Sequence, residues 1–189
     1  IILYSGEGSN MENLIKKLHN KHIENLTLEV VCTITNNPKA KGIKRLKKYD
    51  IKNEVLDHRG FESREDFDRA LVFLINRYNP DVVLLAGFMR ILTPYFIKNI
   101  KAINIHPSIL PLFKGSNALK DSFDSPMKIG GVSVHMVSDE LDSGEIIAQG
   151  CIQKKDGEDF ASFKKRVHNL EHKIYPKAVI AYLNKSESF

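Results

Sequence analysis

Nowhere in the sequence does an apolar run approach the roughly 18 residues that a membrane-spanning helix needs, so no transmembrane segment is expected. The chain opens Ile1-Ile2-Leu3-Tyr4 and passes directly into glycine-rich sequence. It has neither a charged leader nor a small-residue cleavage site there, so no secretory signal is expected. With no initial methionine, one or a few residues are expected to be missing before Ile1, which leaves a short upstream segment open. Cysteine is scarce, with only Cys32 and Cys151, far apart and each within an apolar run. That pattern predicts two buried free thiols in a reducing compartment, hence a cytoplasmic protein. No internal repeat and no low-complexity linker interrupts the chain, which is read as one continuous domain over residues 1–189.

What the sequence does contain is the composition of a globular core: 42% hydrophobic and 27% charged residues. The formal charge of +5 favours anionic partners. The basic residues gather at Lys39, Lys41, Lys44, Arg45, Lys47 and Lys48, around the apolar positions Ala40, Ile43 and Leu46. This is the pattern of a helix with a solvated basic face. Nucleic-acid binding would call for interleaved aromatics, and only Tyr49 is near, so no nucleic-acid partner is expected.

Strand and helix signals alternate through the first hundred residues. Strands are predicted at residues 1–4, 28–35, 54–57, 81–86 and 102–105. Helices are predicted from Met11 (Leu14, Ile15 and Leu18 on one face), over the basic segment, after Ser63 and from Thr93-Pro94. Ser63 and Asp66 have the spacing of a capping box, ahead of Phe67, Ala70, Leu71, Leu74 and Tyr78 on one helix face. Such alternation specifies an α/β fold with a doubly wound, mostly parallel sheet. The rhythm changes in the C-terminal part. Strands at 131–137 and 145–153 are too close for a parallel crossover and should pair antiparallel. Two helices, about 159–172 and 175–184, should follow.

Ligands of open α/β sheets collect at the carboxyl ends of the strands, where segments 5–10, 86–92, 104–108 and 138–144 fall. Gly6-x-Gly8-Ser9-Asn10 lies between a strand and a helix. It fits either an anion site built from backbone N–H groups and the helix dipole, or a turn capped by Ser9 or Asn10. In Asn104-Ile105-His106-Pro107-Ser108, residues 104 and 106 point to the same side of a strand. An amide donor and an imidazole placed there could stabilise an oxyanion and move a proton. The acidic turn Asp139-Glu140-Leu141-Asp142-Ser143-Gly144 could bring a carboxylate to His106 and stabilise its charged form. His168-Asn169-Leu170-Glu171-His172 has an H-x-x-E-H spacing, but no third ligand follows it, so no metal is expected. His58 and His135 are read as structural.

These motifs, with Ala86-Gly87-Phe88-Met89-Arg90-Ile91-Leu92, Ser133-Val134-His135 and Glu171-His172-x-Ile174-Tyr175-Pro176, make the chain resemble the phosphoribosylglycinamide formyltransferase family of purine synthesis. The resemblance runs from Ser5 to about Tyr182. It implies a phosphate-binding half, about 1–100, and a folate-binding half, about 101–189. It implies that Gly8, Ser9 and Asn10 hold the phosphate of phosphoribosylglycinamide, with His168, Asn169, Leu170 and Glu171 on the rest of that substrate. By the same resemblance, Arg64, Met89, Arg90, Ile91, Leu92, Asn104, Ser138, Asp139, Glu140, Leu141 and Asp142 line the pocket for 10-formyltetrahydrofolate. Asn104, His106 and Asp142 become the catalytic trio. Partners are then small molecules only, and the protein a monomer or weak homodimer. Lys114-Gly115-Ser116-Asn117-Ala118 departs from the Pro-Gly and histidines of many bacterial members.

Related families remain as alternatives. A methionyl-tRNA formyltransferase would add a C-terminal nucleic-acid-binding domain, which these residues do not include. A formyltetrahydrofolate deformylase-like hydrolase shares the Asn-x-His and Asp pattern. It usually carries an N-terminal regulatory domain and typically lacks Pro after its His.

Overall fold

The computed structural model describes residues 1–186. It is an α/β fold with a mostly parallel seven-stranded sheet that ends in antiparallel strands. Its contacts divide the chain into two compact units, Ile1–Ile103 and Asn104–Phe189.

The first unit is built around β1 (Ile2–Tyr4), which pairs in parallel with β4 (Thr33–Thr35) on one side and β6 (Val83–Leu85) on the other. Beyond β4 lies β5 (Asn53–Val55), also parallel. Every residue of β1, β4 and β6 is buried, which is why these segments read as unbroken apolar or β-branched runs. The crossovers are α1 (Ser9–Leu18), α2 (Gly42–Leu46) and α3 (Arg64–Asn76). Helix α1 buries Met11, Leu14, Ile15 and Leu18, and α3 buries Phe67, Leu71 and Ile75, both at helical spacing. The Ser63 side chain caps α3 by accepting the Asp66 N–H at 3.0 Å, as the sequence spacing predicts. Helix α4 (Pro94–Asn99) starts with its proline in the first turn and leads into β7 (Ala102–His106), whose first residues complete this unit.

The predicted strand over 28–35 is in fact two. Leu26–Leu28 (β3) turns back on Lys21–Ile23 (β2) as a separate antiparallel hairpin, and only Thr33–Thr35 joins the sheet. Exposed Glu29 marks where the chain leaves the hairpin. Asn20, just before the hairpin, and Glu24, in its turn, take positive φ with no glycine to signal it in the sequence.

In the second unit, β8 (Ile129–Met136) and β9 (Ile146–Gln153) pair antiparallel, as the short connection requires. A short helix that sequence periodicity did not reveal, α5 (Ala118–Asp124), precedes them. The C-terminal segment forms one helix, α6 (Phe160–Ser186), instead of the two expected. Pro176 inside it gives up one backbone hydrogen bond. Burial of Tyr175, Ala178 and Val179 around the proline holds the helix through that loss. Val132, Phe163 and Val167 form the centre of this core, with Phe123, Phe160 and Leu170 packed against them. Cys32 is buried as expected, but Cys151 is exposed, because β9 alternates between covered and open positions.

Candidate active site

The carboxyl end of β7 carries the densest polar cluster of the second unit. Asn104 and His106 alternate with the core residues Ile103 and Ile105 and so share one side of the strand. The Asn104 Nδ2–H donates to His135 Nε2 at 3.2 Å. His135 stands where the register of β8 against β9 shifts, and such a bulge re-aims the side chain it carries. The His106 Nε2–H donates to the Phe113 carbonyl at 2.8 Å, which leaves Nδ1 facing Asp142 Oδ2 at 3.4 Å. The other Asp142 oxygen lies 3.7 Å from His135 Nε2. Asn104, His106 and Asp142 therefore meet around one point, and His135 joins them.

The acidic turn is held in place from the loop after β7. Gly115 N–H donates to Asp142 Oδ2 at 2.8 Å, and Lys114 Nζ reaches Glu140 and Ser143. Asp142 takes φ of 52°, in the left-handed region that aspartate tolerates better than most non-glycine residues. Phe113, whose carbonyl anchors His106, has φ of 54°. Ser108 donates to the same carbonyl and to that of Leu112, so the loop is fixed at several points. Side-chain exposures of 6% for His106 and 8% for Asp142 leave little water to screen their interaction.

His135, which the sequence reads as structural, is buried and bonded at both ring nitrogens. Its Nδ1–H donates to the Met136 carbonyl at 2.9 Å, so Nε2 is the acceptor that orients the Asn104 amide. Burial holds its pKa below the ordinary value of 6.5 and His106 pushes the same way, against the Met136 carbonyl and Asp142. The native protein thus binds this proton less readily than the unfolded chain. As pH falls through 6.5 the unfolded state takes up the proton first, and stability drops. Midpoints of urea unfolding between neutral pH and pH ~5.5 should fall less steeply in His135→Gln than in the unaltered protein. Equal slopes would show that His135 is not held neutral.

In the first unit, Gly8 occupies the position before α1 with φ of 70°, so the helix starts at Ser9 and neither Ser9 nor Asn10 serves as its cap. The N–H groups that open α1 have no partner within the helix by its geometry, as an anion site requires. A Cβ at Gly8 would come within 2.8 Å of Gly42 Cα, so only glycine allows this approach. The loop after β6 is tied down by a Ser5 hydroxyl that accepts from Met89 N–H at 2.8 Å and donates to Asn36 at 2.6 Å. Met89 and Ile91 are exposed large hydrophobics on this loop, and Arg90 lies over the Phe67 ring with a buried Nε that has no hydrogen-bond partner among the described residues. Leu92 is half-buried, and Arg64 is exposed at the start of α3.

On the acidic turn of the second unit, Leu141 is exposed, Asp139 is exposed, and Ser138 donates to the Glu140 carbonyl. On α6, His168 Nδ1 lies 2.7 Å from Glu171 Oε2, a carboxylate that is itself buried. Asn169 is exposed, whereas Leu170 packs into the core. Among the described residues no group of three or more His, Cys, Asp or Glu is arranged to hold a metal ion. No described helix is long and apolar enough to cross a membrane.

Residues 1–179 match the family described as Formyl transferase, so the chain belongs to the formyl transferase family. The phosphoribosylglycinamide formyltransferase of Escherichia coli (strain K12) is 36% identical over 181 residues, covering 95% of this chain and 84% of its own length. The crystal structure of that enzyme from Campylobacter jejuni superposes with a TM-score of 0.94 at 49% identity, covering 96% of this chain and 95% of the other. The chain belongs to the phosphoribosylglycinamide formyltransferase family. It is also 36% identical over 180 residues to the human trifunctional purine biosynthetic protein adenosine-3, spanning 94% of this chain but only 18% of that protein.

Proposed function

We propose that this chain, acting as one cytoplasmic domain, transfers the formyl group of 10-formyltetrahydrofolate to the amine of phosphoribosylglycinamide in de novo purine synthesis. The observation that carries the reading is the meeting of Asn104, His106 and Asp142 at the end of β7. The residues fit a folate. The exposed Met89 and Ile91 offer apolar surface for a flat heterocycle, and the buried Arg90 Nε is a donor in search of an acceptor. Arg64, exposed at the start of α3, suits a carboxylate of the folate tail. Leu92 in the first unit, and Ser138, Asp139, Glu140 and Leu141 in the second, are the remaining folate-contacting residues of this reading.

When bound, the folate supplies the one-carbon unit at the acyl level. Of the two Asn104 amide hydrogens, one is held by His135, and the other is left to donate to a developing oxyanion. His106 is anchored through Nε2, so the proton it gives or takes is the one on Nδ1, beside Asp142. Asp142 stabilises the charged imidazole, and Gly115 keeps the carboxylate in place. Gly8, Ser9 and Asn10 hold the acceptor's phosphate. His168 and Glu171, with Asn169 and Leu170 beside them, face the ribosyl-glycinamide.

Purified protein mixed with 10-formyltetrahydrofolate tests the reading. Formyl loss should require phosphoribosylglycinamide and match the formylated amine formed. Loss to water at the same rate without an acceptor would identify a deformylase-like hydrolase instead.

A further inference from the structure

The basic segment that follows β4 does more than face solvent. Gly42 N–H donates to the Gly6 carbonyl at 2.9 Å, and Arg45 Nε–H donates to the Glu7 carbonyl at 2.7 Å. The Gly8 carbonyl is taken by Glu12 N–H at 2.9 Å, in the first turn of α1. Three consecutive carbonyls of the glycine loop are thus claimed by donors of the protein itself. A carbonyl turned toward an anion would repel it, so occupying all three internally favours the loop's use as an anion site.

Arg45 does this from both ends of its guanidinium. While Nε serves the loop, Nη1 lies 2.6 Å from Glu12 Oε2. Glu12 is buried on α1 and also pairs with Lys16 and Lys48. Burial alone would raise its pKa, yet these cations hold it at about 2, so the carboxylate stays charged and Arg45 stays anchored. Lys41 pairs with Glu7 at 2.7 Å, so four cations surround two carboxylates here and the local field remains positive. The planar fork of arginine can meet a carbonyl and a carboxylate at once, which a lysine ammonium does with less fixed geometry.

We infer that Arg45 is a positioning residue for the acceptor's phosphate, acting through the carbonyl of Glu7 and the Glu12 carboxylate to keep the Gly6–Asn10 loop in its anion-holding shape. The inference rests on the phosphate role of that loop proposed above. Kinetics with phosphoribosylglycinamide and with the same acceptor lacking its phosphate separate the two ideas. Arg45→Ala should raise KM for the phosphorylated acceptor about tenfold, the loss of one charged hydrogen bond, and leave kcat, KM for the folate and KM for the unphosphorylated acceptor unchanged. Arg45→Lys should recover only part of the difference, and it carries the same test if the alanine variant does not fold. An unaltered enzyme that prefers the phosphorylated acceptor, with no KM change in Arg45→Ala, would overturn the role of Arg45. Full recovery by lysine would overturn the two-ended clamp. An unaltered enzyme indifferent to the phosphate would overturn the loop reading itself.

Discussion

Replacing Asp142 by asparagine should lower kcat by about 10²–10³ while the unfolding temperature stays close to that of the unaltered protein. An asparagine oxygen can still accept the Gly115 N–H that now goes to Asp142 Oδ2, so the turn keeps its anchor. What disappears is the negative charge beside His106 Nδ1, at a place where both side chains are almost wholly removed from water. There a charge is worth far more than at the surface. Circular dichroism and a thermal melt establish the fold of the variant, and steady-state kinetics give the loss. Near-normal turnover would remove Asp142 from the chemistry.

Gly144→Ala should cut activity about hundredfold through geometry alone, since displacing a catalytic group by about 1 Å costs that much. A Cβ at Gly144 would overlap the carbonyl oxygen of Met136, which is backbone and cannot swing aside. Met136 N–H is itself bonded to Glu145 O at 2.9 Å, so the two strand ends are locked across this point. The strain must be relieved by the intervening turn, and Asp142 lies only two residues away in a left-handed conformation. Residual activity above a tenth of normal would show that the turn absorbs the methyl group without moving Asp142.

The fold was legible wherever local chemistry and final environment agree. Unbroken apolar runs at Ile2–Tyr4 and Val83–Leu85 became buried parallel strands, and Ser63 capped α3 as its spacing required. Errors came where tertiary contacts overrule local preference. Two helices, about 159–172 and 175–184, were expected, yet α6 runs whole through both, with buried neighbours on either side of Pro176. The β-branched stretch before Thr35 gave no sign that its first part pairs with Lys21–Ile23.

For the site, Asn104 and His106 were visible because strand alternation and a following proline place two reactive side chains together. Asp142 was visible as a carboxylate in a turn. Phe113 was not, because it acts through its backbone carbonyl. The contact of His135 with Asn104 was not legible, because a strand histidine reads as core and the bulge that aims it leaves no mark in the sequence. Arg45 was hidden for the opposite reason. Its charge matched a solvated helix face so well that its bonds to Glu7 and Glu12 could come only from the structure.

The most direct measurement is the single-turnover rate of formyl transfer in Asn104→Ala, His106→Ala and the double variant. Groups that act on one oxyanion as a unit lose most of their effect together. The double variant should therefore be little slower than the worse single one. Losses that multiply independently, or a single variant as fast as the unaltered enzyme, would contradict a shared catalytic centre at the end of β7.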